Sequence, residues 1–103
     1  MNYHLITCIV ERGKAGRVVD DAIKNGAQAA TIFYAHGKGV KERLGLLGRF
    51  IQHEKEVVLI VTKEEETQKV FDAIVITGRL QEPGKGFAYI QPVEQAVGFL
   101  PVK

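Results

Sequence analysis

Residues Val57 to Val61 read Val-Val-Leu-Ile-Val, with Glu56 before them and Thr62 after. An apolar run of this length leaves no alternate position for water, so it predicts a strand over 56–62 that is covered on both faces. Such a strand needs neighbours beside it and a layer on each side. The flanking sequence supplies the neighbours. Leu5-Ile6-Thr7-Cys8-Ile9-Val10 is rich in β-branched residues and ends in Glu11-Arg12, which predicts a first strand over 4–10. After Gly13, the apolar residues Ala15, Val18, Val19, Ala22 and Ile23 recur at helical spacing, with Lys14, Arg17, Asp20, Asp21 and Lys24 turned away from them. That amphipathic helix is expected to stop at Asn25-Gly26.

Residues 27–35, with Thr31-Ile32-Phe33-Tyr34, predict a second strand, and 87–93 the last one. Between them, Thr62 followed by Glu65 has the spacing of a capping box, and three glutamates occupy the next turn. A second helix is therefore expected from near Lys63, burying Val70, Phe71, Ile74 and Val75 and closing at Gly78. The order β, α, β, long loop, β, α, loop, β is that of an α+β, ferredoxin-like βαββαβ sandwich, a four-stranded antiparallel sheet with two helices on one face. At 103 residues the chain is expected to form one domain over 1–103. The strands hold few charges for the helix-free face, so that face is expected to be covered by further copies of the chain.

Composition narrows the chemistry. A net charge of +2 is too small for a dedicated duplex binder, a single Cys8 makes no internal disulfide, and the absence of Ser excludes a serine nucleophile. Lys85-Gly86-Phe87-Ala88-Tyr89-Ile90 matches part of an aromatic RNA-binding signature but lies on the wrong strand for it, so no nucleic-acid partner is expected. His4, His36 and His53 lie on separate elements, which gives no metal-ligand spacing, and no catalytic constellation is found. With no apolar run near 18 residues and no signal-peptide pattern, a cytoplasmic protein is expected.

Two segments are candidates for function. Residues 36–55 are far longer than an ordinary hairpin connection. They hold Lys38, Lys41, Arg43 and Arg49 against Glu42 up to His53, together with the apolar Leu44, Leu46, Leu47, Phe50 and Ile51. Cations interleaved with apolar clusters suit a segment that orders against a partner, here Lys41, Arg43, Leu46, Leu47, Arg49 and Phe50. Residues 77–86 read Thr77-Gly78-Arg79-Leu80-Gln81-Glu82-Pro83-Gly84-Lys85-Gly86, a glycine and lysine loop whose free amides and cations suit a phosphate.

These features together resemble the PII-like signal transduction proteins, relatives of the nitrogen regulatory protein PII. The likeness is sharpest at Gly37-Lys38-Gly39, at the long second connection that corresponds to the family's T-loop (36–55), and at 77–86, which corresponds to its B-loop. It implies a homotrimer without enzymatic activity that takes an adenine nucleotide (ATP, ADP or AMP) in clefts between subunits and requires no cofactor. The effector residues would be Gly37, Lys38, Gly39, Thr77, Gly78, Gly84, Lys85 and Gly86. Signalling would pass through the T-loop to a target protein such as a membrane transporter or metabolic enzyme. Several family features are missing. No Tyr lies between Ala35 and Ala88, Lys41 stands where a glutamine is expected, and the C-terminal arginines are replaced by Gly98-Phe99-Leu100-Pro101. A CutA-like trimeric metal-tolerance or interaction module is the alternative the same architecture allows, and a small acyl phosphatase is a further one.

Overall fold

The computed structural model describes residues 2–36 and 54–98. Its elements are β1 (Tyr3–Glu11), α1 (Ala15–Lys24), β2 (Ala29–His36), β3 (Glu54–Lys63), a 3-10 turn (Glu64–Glu66), α2 (Thr67–Thr77) and β4 (Gly86–Val93). The strands form one antiparallel sheet in the order β2-β3-β1-β4. This is the expected ferredoxin-like arrangement.

Strand alternation divides the sheet cleanly. Ile6, Cys8 and Val10 of β1 and Val58 and Ile60 of β3 face α1 and α2, and all five are fully buried. They meet Ala15, Val18 and Ala22 of α1 and Val70 and Ile74 of α2, also fully buried. Cys8 belongs to this core, and burial pushes its thiol up to about 12, which leaves it a small inert apolar residue.

Both helices differ in detail from the sequence expectation. Ile23 was expected on the buried face of α1 but is 56% exposed. At 100° per residue it sits about 80° from Ala15, outside the narrow stripe centred on Ala15, Val18 and Ala22. The α2 helix begins at Thr67, after the 3-10 turn, and its N-cap residue makes no side-chain cap. The expected capping box does not form because Thr62 still belongs to β3, with Lys63 at the cap position of the 3-10 turn, and its hydroxyl lies 2.7 Å from that of Thr67. Thr67 in turn lies 2.7 Å from His4 Nδ1 and donates to the Lys63 carbonyl at 3.1 Å.

The start of α1 is capped from a distance. Its own N-cap residue, Lys14, supplies no side-chain acceptor. Instead Glu56 of β3, almost wholly buried, accepts from the Gly13 and Ala15 amides at 2.7 and 3.0 Å. A carboxylate at a helix N-terminus gains from both the free amides and the macrodipole. Replacing Glu56 by Ala strands both donors, and is expected to lower stability by about 2 kcal/mol in urea unfolding. Glu56→Gln, which keeps an acceptor without the charge, is expected to cost about half as much.

Candidate functional site

The candidate residues 77–86 occupy the end of the sheet where β1 leaves and β4 enters. The α2 helix closes here in a Schellman arrangement: the Arg79 amide bonds to the Ile76 carbonyl at 3.1 Å, and the Leu80 amide to that of Val75 at 3.0 Å. The left-handed residue of the motif is Arg79, with φ of 55°, while Gly78 remains right-handed at −82°. Gly78 is thus not the left-handed terminator that glycine at a helix end leads one to expect. It is small for another reason. A side chain there would press on the Ile74 carbonyl and on Leu80, both at 3.1 Å.

The chain then turns twice, through Glu82 N–H to the Arg79 carbonyl at 3.0 Å and Lys85 N–H to the Glu82 carbonyl at 3.3 Å. In the second turn Pro83 takes the position where fixed φ helps and Gly84, with φ of 77°, the one that needs a left-handed residue, as in a type II turn. Gly86 has φ of 153° and lies so close to β1 that a Cβ would come within 2.2 Å of the Ile9 carbonyl oxygen. Thr77 at the end of α2 reaches the Asp21 carboxylate on α1 and the Ala73 carbonyl, so its hydroxyl ties the two helices together.

The charges of the segment are paired. Arg79 holds both carboxylate oxygens of Glu82 at 2.7 Å, which raises the guanidinium's proton affinity and holds the Glu82 carboxyl below its ordinary value. Both groups are exposed, so the pair adds little to stability. Lys85 Nζ lies 3.6 Å from Glu11 Oε1. Glu11, at the end of β1, is a residue the sequence did not single out. It ends an apolar strand as many surface glutamates do, and only the register of β1 against β4 brings it to Lys85.

Gly37, Lys38 and Gly39, with the partner-loop candidates Lys41, Arg43, Leu46, Leu47, Arg49 and Phe50, lie outside the described residues. The two ends of that segment are placed. His36 and Glu54 are opposed in the β2–β3 register, and Glu54 is clamped to Arg12 by a side-chain ion pair and by the Arg12 amide, 3.3 Å from its carbonyl. Because β3 and β1 stand between β2 and β4, the end of β2 is three strand spacings, roughly 14 Å, from the start of β4. Within one chain, then, His36 at the end of β2 and the 77–86 loop lie towards opposite edges of the sheet.

The helix-free face between them is apolar. Phe33, Val57, Ile9 and Phe87 form one row across all four strands, and Thr31, Leu59, Thr7 and Tyr89 the next. Phe33 is 46% and Phe87 60% exposed, and the Phe87 and Tyr89 rings stack at a tilt, 5.5 Å apart. Monomeric proteins rarely leave aromatic rows of this kind to water.

A family model described as nitrogen regulatory protein P-II matches residues 3–100. Among curated proteins none matches the sequence. Among solved structures, the chain is similar to Arabidopsis thaliana PII bound to citrate, with 23% identity and a TM-score of 0.67, over 89% of this chain and 78% of that one. It is also similar to a putative PII-like signaling protein from Thermus thermophilus, with 22% identity and a TM-score of 0.62, over 90% of this chain and 87% of the other.

Proposed function

Because this chain belongs to the nitrogen regulatory protein P-II family, we propose that it is a signalling protein that binds an adenine nucleotide between the subunits of a homotrimer. Binding is relayed to a target protein through residues 36–55. The observation that carries the reading is the apolar helix-free face, bordered at one end by Lys85 and the 77–86 loop. Copies packed on that face would bring the 77–86 loop of one chain towards the His36 end of β2 of another, which a single sheet keeps at opposite edges. A small anion held there would favour one arrangement of the long segment over others, and so act by shifting populations. One structural relative is described as bound to citrate, an anion of several charges, which fits an anionic effector.

In this reading Lys85 supplies the cation and the turn at Gly84 supplies backbone amides, with Lys38, Gly37 and Gly39 contributed by a neighbouring chain. Gly78 and Gly86 shape the loop from beneath, through their contact with Leu80 and β1. Titration calorimetry with ATP, ADP, AMP and cyclic nucleotides tests it. Heat of binding is expected with at least one of them, weakened ~10-fold or more in Lys85→Met, since a charged hydrogen bond contributes about 1.5–3 kcal/mol. No heat with any nucleotide removes the proposal.

A further inference from the structure

We propose that Glu11 is a built-in competitor for the anion at Lys85, and that it sets how much negative charge the site accepts; this rests on the effector reading above. Gly86 opposes Val10 in the β1–β4 register, so the chain enters β4 with Lys85 opposite Glu11, and on the other side Glu11 opposes Lys55 of β3. A carboxylate is thus set between two lysines at the rim of the helix-free face. Its side chain is only 11% exposed, whereas that of Lys85 is 32% exposed. The lysine is therefore the partner that solvent, or an incoming anion, can reach.

The pair is a loose one. At 3.6 Å its separation exceeds the 2.7–2.9 Å of a charged hydrogen bond, so attraction between charges holds it rather than a directed bond. At Arg79 the dominant partner is Glu82, and Glu11 adds only a smaller attraction there. An anion approaching Lys85 meets a lysine already partly neutralised, and a carboxylate it must displace or lie beside. The repulsion grows with each charge the ligand brings. Glu11 therefore handicaps a polyphosphate more than a monophosphate, and removing its charge relieves the larger ligand more.

The test is protection of the Lys85 amine from acylation in the full-length protein, read by mass spectrometry for wild type and Glu11→Gln. The probes are inorganic orthophosphate, inorganic tripolyphosphate, AMP and ATP. In Glu11→Gln the tripolyphosphate concentration giving half-protection is expected to fall ~10-fold, and that of orthophosphate about 3-fold or less, as charge-scaled repulsion requires. A merely structural role would move both equally, and equal shifts, or none, overturn the proposal. Protection by tripolyphosphate with the expected shifts, but none by AMP or ATP, sinks the nucleotide reading and leaves the role of Glu11 standing. No protection by any probe in either protein overturns both. Should Glu11→Gln unfold, Glu11→Asp, which draws the carboxylate back from Lys85, is expected to shift the values in the same direction by a smaller factor, and no shift there counts against the proposal.

Discussion

A Phe33→Glu variant is expected to sediment at one third of the wild-type mass while keeping its far-ultraviolet spectrum. Phe33 lies on β2 in the apolar row that continues through Val57 and Ile9 to Phe87, and almost half of its surface meets water in the single chain. A side chain so exposed contributes little to the fold of its own subunit, so the chain tolerates its loss. If that face is covered by two further copies, the new carboxylate is buried without a partner in each of three symmetric places. A buried, unpaired charge costs several kcal/mol, and threefold symmetry multiplies the penalty. Phe87→Glu, on the far strand of the same row, is expected to do the same. Analytical ultracentrifugation at micromolar concentration measures both. A wild-type chain that sediments alone would end the inter-subunit model, whatever the variants do.

The second large effect is expected at Gly86. Changing it to Ala places a Cβ 2.2 Å from the Ile9 carbonyl oxygen and 2.8 Å from Leu80, at a φ of 153° that side chains rarely adopt. The first contact is with backbone, so β4 has to move away from β1. Overpacking and backbone strain each cost about 1–3 kcal/mol, so a loss of about 2–5 kcal/mol is expected. For a domain of this size that lowers the melting temperature by roughly 10–30 °C. Gly16→Ala is the control. It sits in α1 with nothing within 4 Å of the added Cβ, and there the same change is expected to stabilise by about 0.5–1 kcal/mol. A Gly86→Ala protein as stable as wild type would mean that the close approach of β4 to β1 is not present in solution.

That glycine also marks how far the sequence was readable at the candidate site. Gly-Lys-Gly ahead of a strand invites a phosphate reading, because glycine amides and a lysine are what a phosphate needs. The structure gives Gly86 and Gly78 an independent reason to be small, the room taken by Leu80 and the Ile9 and Ile74 carbonyls. Gly84 has a third reason, a turn that requires positive φ. The reasons at Gly78 and Gly84 are local, the end of α2 and the 82–85 turn, whereas the one at Gly86 depends on what another element, β1, places beside it. The same holds for Glu56 and Glu11. One caps a helix 41 positions away in sequence and the other faces a lysine across a strand pair, yet both read as ordinary strand-end glutamates.

What the sequence determined by itself is the presence and order of the elements, which depend on near neighbours. The run Val57–Val61 required a strand, the spacing of Ala15, Val18 and Ala22 required α1, and their order implied a βαββαβ sheet, because periodicity and propensity act over a few residues. The tertiary structure decided what depends on register and approach. Sliding β1 against β4 by one residue would send Glu11 to the helix side and part it from Lys85. Pairing and charge balance between distant strands follow from the whole sheet's packing, which no local pattern encodes.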